Sequence, residues 1–105
     1  MAVPVVMSAS RQELQTVRVW LGIDVACRAA HQASLTDERG RFAWSGRKFR
    51  TTVEDLHRLW AMLPVGVEPA AVTVIMEPTR NAWVPLAAWF RRQGATVVMV
   101  PHQVR

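Results

Sequence analysis

The chain alternates between short apolar runs and two amphipathic segments. Residues 17–24 (VRVWLGID) are mostly apolar, β-branched and aromatic, which is typical of a strand covered on both faces of a sheet. The next segment predicts a hairpin, because its turn sequence DERG provides Gly40 for a positive φ. The returning strand, residues 41–49, carries charged side chains that suit the edge of a sheet.

Residues 51–63 (TTVEDLHRLWAML) predict the first helix, because their apolar positions recur on one helical face. Thr51 or Thr52 can cap the N-terminus of this helix. Glu54 or Asp55 lies three residues after these threonines, where its carboxylate can close a capping box.

The C-terminal half continues with two strands and a second helix. Residues 70–77 predict an apolar strand, residues 78–94 the helix, and residues 95–101 a last short strand. Pro85 is compatible with this helix if the regular part begins just before it. Gly94 suits the C-terminal cap of the same helix.

The predicted order of elements is therefore β-β-β-α-β-α-β. Three consecutive strands can pair in antiparallel fashion, whereas the later strands are separated by helices and require parallel crossovers. The predicted fold class is thus α/β, with a mixed sheet and helices packed on its faces.

Length and composition indicate one small domain. With 105 residues, half of them hydrophobic, the chain can form a single core over residues 17–105, preceded by a flexible tail at residues 1–16. No apolar run approaches the roughly 20 residues of a membrane span, and no signal peptide is evident, so we expect a cytoplasmic protein without a membrane partner. Cys27 is the single cysteine, which excludes an internal disulfide and fits a reducing compartment.

The formal net charge is +5, and all basic residues other than Lys48 are arginines. Arginine forms forked contacts with phosphate, which favours a nucleic-acid partner, although an arginine-rich composition can also reflect a GC-rich genome. In the hairpin, a solvated edge strand competes with a nucleic-acid surface, to which Trp44 could add base stacking. The candidate nucleic-acid-binding residues are Arg39, Arg41, Arg47, Lys48 and Arg50.

The first and fourth predicted strands each end in a carboxylate, Asp24 and Glu77. If these strands are parallel neighbours, both side chains leave the same edge of the sheet, where open α/β sheets bind ligands. Two adjacent acids repel unless a cation lies between them, and oxygen ligands select Mg²⁺ or Mn²⁺. Glu77 could instead cap the following helix, with Thr79 or Asn81 as alternative caps, whereas no predicted helix follows Asp24.

Several spaced features together resemble a known family. The GID strand with its hairpin, the strand ending in Glu77, the helix sequence AWVPLAAW and the segment GATVVMVPHQVR are similar to the N-terminal domain of the insertion-sequence-110 transposases. These DEDD transposases, also called recombinases, have a fold like ribonuclease H and the Holliday-junction resolvases. The resemblance covers residues 17–105 and implies a ribonuclease-H-like sheet that is incomplete at its C-terminus.

The resemblance also implies a metal site and a reaction. In that family four acids hold a divalent metal, and Asp24 matches the first and Glu77 the second, as metal ligands and catalytic residues. The other two aspartates, and a domain with a nucleophilic serine, follow the matched segment. Full-length members cleave and rejoin DNA, work with an element-encoded structured RNA and are expected to form homo-oligomers. We therefore expect this chain to be a truncated portion that holds Mg²⁺ or Mn²⁺ weakly and does not cleave DNA alone.

The sequence departs from the family pattern near the two acids. The family often has lysine at the position of Cys27, and commonly EATG where residues 77–80 read EPTR. Pro78 and Arg80 are bulkier than alanine and glycine beside the expected metal. One alternative is a remnant that folds and binds nucleic acid or a full-length subunit without catalysis. Another is an enzyme of the actin-like kinase superfamily, which the lack of glycines after Asp24 disfavours.

Overall fold

The computed structural model describes residues 17–101, which form a five-stranded sheet and two α-helices. The tail expected at residues 1–16 lies outside the described residues. Within the described range, no helix is long and apolar enough to cross a membrane. The elements are β1 (Val19–Asp24), β2 (His31–Thr36), β3 (Phe42–Phe49), α1 (Val53–Trp60), β4 (Val72–Met76), α2 (Trp83–Arg92) and β5 (Thr96–Met99), with a short 3-10 turn at Pro69–Ala71.

The strands lie in the order β3-β2-β1-β4-β5. The pairs β1–β2 and β2–β3 are antiparallel, and the pairs β1–β4 and β4–β5 are parallel. The predicted α/β class with a mixed sheet is thus confirmed, as are the predicted order of elements and the edge position of β3. This arrangement is compatible with a ribonuclease-H-like fold.

Both helices pack on the same face of the sheet, which the sequence did not predict. Alternate strand side chains, such as Leu21 and Val74, form one buried core with Leu59 of α1 and Phe90 of α2. The two helices also touch each other, since the rings of Trp60 and Trp89 lie 5.9 Å apart at 81°.

The other face of the sheet carries no helix among residues 17–101. Its side chains are half-buried or exposed, and they include the polar Gln32, Ser34 and Thr73 as well as the apolar Trp20 and Ile75. The expectation that β1 is covered on both faces is therefore wrong for the part of the chain that the structure describes. On this face β2 presents Gln32, Ser34 and Thr36, whose polar side chains suit an uncovered surface.

Helix α1 is shorter than predicted, and its capping box is only half formed. The Oγ1 atom of Thr52 accepts the backbone N–H of Asp55 at 3.1 Å, as expected. The N–H of Thr52 itself donates to the Arg50 carbonyl at 2.8 Å, so the Asp55 carboxylate takes the Arg50 N–H at 2.8 Å instead. This bond, with a second one from Arg58 at 2.9 Å, holds the pKa of Asp55 below its ordinary value.

Helix α2 begins five residues later than predicted, at Trp83, because Pro85 then falls in its first turn. A proline there needs no intrahelical N–H bond, so the helix is not interrupted. Gly94 follows the helix with φ +101°, as the cap position predicts. A Cβ atom on Gly94 would lie 3.1 Å from Cβ of Pro69, so both backbone conformation and close packing favour glycine.

His31 is a buried residue that fixes the loop between β1 and β2. It is 4% exposed, and its Nδ1 atom accepts the backbone N–H of Ala26 at 3.0 Å. In the neutral ring the proton is therefore on Nε2, which donates to Oγ1 of Thr51 at 2.8 Å. The ring also lies 5.2 Å from that of Phe49. His31 thus ties the residues after β1 to the start of α1.

Arg80 is the one residue other than glycine with a positive φ among residues 17–101, at +49°. It lies in the loop between β4 and α2, at the position where the resembled family commonly has glycine. An L-residue in this left-handed region is strained by ~1 kcal/mol. The departure from the family pattern at Arg80 therefore has a structural cost.

The burial of His31 predicts a stability that falls in mildly acidic solution. Burial lowers the pKa of His31 below 6.5, so the unfolded chain binds the proton more readily than the folded one. The contribution of neutral His31 is present above about pH 6.5 and is lost as pH falls through the lower folded-state pKa. Urea denaturation at a series of pH values should show this loss for the wild type.

A variant without a titrating ring at this position is the control. His31→Asn keeps an acceptor for the Ala26 N–H but does not titrate, so its stability should depend less on pH between about pH 5 and pH 7 than that of the wild type. If the free energy of unfolding changed with pH equally in the wild type and in His31→Asn, buried His31 would not be the source of the pH dependence.

Replacing Arg80 by glycine should relieve the strain at this position. We expect Arg80→Gly to be more stable than Arg80→Ala by about 1 kcal/mol, because both lose the charge but only glycine adopts positive φ freely. Thermal or urea denaturation of the two variants measures the difference. An alanine variant as stable as the glycine variant would show that the loop relaxes without strain.

Candidate metal and nucleic-acid site

The two candidate acids lie side by side at one edge of the sheet. Asp24 is the last residue of β1, and Glu77 directly follows β4. The parallel register pairs Ile23 with Met76, one residue before each acid. Both acids are exposed. The structure thus brings the two predicted residues together, as expected for parallel neighbouring strands.

An open cleft of about 530 Å³ includes both acids. Gly22 and Ile75, each two residues before an acid, also line it, which places the cleft on the uncovered face of the sheet. A Cβ atom on Gly22 would meet nothing nearer than the Ser34 carbonyl oxygen at 4.0 Å. The floor of the cleft is therefore wide and free of bulky side chains at this point.

The alternative that Glu77 caps the next helix is wrong. Helix α2 begins at Trp83, six residues after Glu77, with Ala82 at the capping position. Its N-terminus has no side-chain cap hydrogen bond, so neither Thr79 nor Asn81 fills this role. The hydroxyl of Thr79 instead lies 3.4 Å from the carbonyl oxygen of Glu77.

The chemistry of the cleft suits a hard divalent cation. Asp24 and Glu77 supply carboxylate oxygens, and the amide of Gln32 lies opposite Asp24 in the antiparallel register with β2. Oxygen atoms are the ligands that Mg²⁺ and Mn²⁺ prefer. Within residues 17–101, no group of three or more His, Cys, Asp or Glu side chains could hold a metal. The fit to such a cation thus rests on the oxygen chemistry of Asp24, Glu77 and Gln32, and water would have to supply the other ligands.

The five candidate nucleic-acid-binding residues do not form one surface. Arg39 and Arg41 lie at the β2–β3 turn, where Nε of Arg41 is 3.1 Å from Oδ2 of Asp37. Asp37 also accepts the backbone N–H groups of both arginines, which holds its pKa below the ordinary value. This turn is about 17 Å along β2 from Gln32, the partner of Asp24. The two arginines thus stabilise a turn far from the acids.

The remaining three cations lie nearer to the acids but point in different directions. Lys48 pairs with Gln32, which pairs with Asp24, so these three residues form a row across the open face. Arg47 pairs with the buried Ala33 and is therefore on the opposite face, although Arg47 and Lys48 both line a groove shared with α1. Arg50 follows β3 and lines a separate cleft near the start of α1. Lys48 alone of the five shares a face and a row with the acids.

Trp44, the candidate for base stacking, is half-buried against the core, and its Nε1–H donates to the Met62 carbonyl at 3.4 Å. Its ring is therefore only partly accessible to a base. Arg28 was not singled out from the sequence, because no motif marks this residue and its position relative to Arg50 depends on the fold. In the structure β2 begins at His31, and Arg28 is exposed in the preceding loop beside Arg50.

Comparison with known proteins gives one result. The family model of the DEDD transposases of the insertion-sequence-110 type, described as transposase, matches residues 21–105. No curated protein and no solved structure matches the chain. The match includes Asp24 and Glu77, β1 from Leu21 onward, and all later strands and helices. Because it extends over most of the sequence, the chain belongs to the insertion-sequence-110 family of DEDD transposases.

Proposed function

We propose that Asp24 and Glu77 are two ligands of a divalent metal, Mg²⁺ or Mn²⁺, in a domain that serves DNA strand cleavage and rejoining. The observation that carries the proposal is the parallel pairing of β1 with β4, since it delivers both carboxylates to one open cleft. DEDD transposases generally use a divalent metal, and a DNA partner is implied by the family. A structured RNA and a second subunit are the further partners that we propose from the resemblance.

Each group in the cleft has a simple task in this proposal. A bound metal would supply Lewis-acid activation of water and stabilise charge on a leaving oxygen. Asp24 and Glu77 would hold it, and the exposed position of both acids leaves room for a nucleic-acid strand. Lys48, two strands away from Asp24 at about 10 Å, would attract the phosphate backbone along the open face.

The site should hold metal weakly, because two carboxylates leave most of the coordination shell to water. We expect a dissociation constant for Mn²⁺ of about millimolar, measured by electron paramagnetic resonance or calorimetry. Asp24→Asn and Glu77→Gln should each remove this binding. Glu38→Gln makes the same charge change on an exposed residue of the β2–β3 turn and should leave it unchanged. If Glu38→Gln also lost Mn²⁺ binding, the binding would depend on the overall charge of the protein and not on a site formed by Asp24 and Glu77.

The 105-residue chain should not nick DNA, because the described residues provide two acids and no third His, Cys, Asp or Glu side chain that would hold a metal with them. Supercoiled plasmid incubated with the chain and Mn²⁺ should open no faster than with Asp24→Ala. Metal-dependent nicking that disappears in Asp24→Ala would show that the chain alone is a nuclease. Absence of both nicking and metal binding would favour the alternative function, a domain that folds and binds without catalysis.

A further inference from the structure

A second cleft lies on the other side of the loop that follows Asp24. Its volume is about 320 Å³. Cys27 and Arg28 come from the β1–β2 loop, Arg50 and Thr51 from the segment before α1, and Pro85 from the first turn of α2. Three separate parts of the chain therefore converge on it.

The cleft is cationic. Arg28 and Arg50 are both exposed, and none of the described residues that line the cleft is acidic. Asp55 of α1 is close to Arg50: its carboxylate accepts the Arg50 backbone N–H and a bond from Arg58, and the positive charge of Arg50 also helps to hold the pKa of Asp55 below its ordinary value. Two guanidinium groups at one cleft favour an anion with several oxygen atoms.

The network around His31 adds a directed hydroxyl group. Since Nδ1 of His31 accepts the Ala26 N–H, Nε2 donates to Oγ1 of Thr51. The hydroxyl proton of Thr51 is therefore not used in that bond and is available to an acceptor in the cleft. Burial lowers the pKa of His31, which keeps this arrangement in place at neutral pH.

The loop that bears Arg28 has a defined shape. The backbone N–H of Ala26 is held by His31, and the Cys27 thiol lies 3.9 Å from the Thr79 carbonyl oxygen in the loop after β4. The cationic cleft is thus anchored both to the start of α1 and to the loop that follows Glu77. Such anchoring fixes the position of the cleft relative to the acids.

We propose that the cleft of Arg28, Arg50 and Thr51 binds a backbone phosphate of the DNA strand that enters the Asp24–Glu77 cleft. Arg28 is four positions after Asp24, so their Cα atoms are at most about 14 Å apart. One strand of duplex DNA carries a phosphate about every 3.4 Å of axis, so a phosphate in this cleft and a phosphate at the two acids would lie a few nucleotides apart on one strand. The position of the strand rests on the proposed function, whereas binding of the phosphate needs no metal.

The test measures DNA affinity against salt in the presence of a chelator, so that metal binding plays no part. The probe is a fluorescein-labelled DNA duplex, and the protein is the 105-residue chain. Replacing both arginines (Arg28→Ala with Arg50→Ala) should weaken binding about tenfold at low salt. The slope of log affinity against log salt should fall in magnitude by about 0.9, the value for one lost phosphate contact.

The matched control removes two positive charges from a surface that does not line this cleft. Arg91→Ala with Arg92→Ala changes two exposed arginines of the last turn of α2, and it should retain most of the affinity and the slope. Arg28→Lys keeps the charge without the fork and should bind with intermediate affinity. Circular dichroism should show that all four proteins are folded.

Three outcomes would overturn the proposal. The wild-type chain could fail to bind DNA, or the two double variants could lose equal affinity and slope. In the third outcome, inorganic phosphate raises the thermal midpoint of the wild type but not that of the Arg28/Arg50 double variant, while both proteins bind DNA equally. That result would assign the cleft to a free anion. Because Mn²⁺ binding by Asp24 and Glu77 is measured separately without DNA, failure of the metal site and failure of this cleft are distinguishable.

Discussion

The parallel pairing of β1 with β4 is the constraint on which the rest of the structure depends. It joins the antiparallel strands β2 and β3, through β1, to the parallel strands β4 and β5. Five residue pairs form this contact, and the last of them is Ile23 with Met76. The apolar side chains of both strands form the centre of the core. Since parallel strands have their carboxyl ends at the same edge, this pairing also sets Asp24 beside Glu77. Fold and candidate site thus share one cause.

A second constraint is the buried histidine that joins three pieces of backbone. His31 receives a hydrogen bond from the loop after β1, donates one to Thr51 before α1, and packs on Phe49 at the end of β3. Every nitrogen of its ring is used, and no buried side-chain nitrogen or oxygen among the described residues lacks a partner. The order at this end of the sheet, where both clefts lie, therefore depends on a polar network and not on apolar packing alone.

Charge is distributed around the domain according to local structure. Asp37 and Arg41 stabilise the hairpin turn, and Asp55 with Arg58 stabilises the first turn of α1. These pairs are exposed and contribute little to overall stability. The arginines that remain for a polyanion are those outside such pairs, and Arg28 with Arg50 are the two that share a cleft near the acids. Net positive charge alone does not identify them.

Local sequence signals determined the elements, the turn glycines Gly40 and Gly94, the helix cap at Thr52 and the two strands that end in acids, because each depends on residues close in the chain. Only the tertiary structure decided that β1 lies beside β4, that both helices lie on one face of the sheet, and that the five candidate cations lie on different surfaces. The order of the strands and the face of the sheet on which a helix packs arise from long-range contacts, which a local sequence pattern does not encode. For the same reason the cleft of Arg28 and Arg50, 22 positions apart in the chain, appears only in the folded molecule.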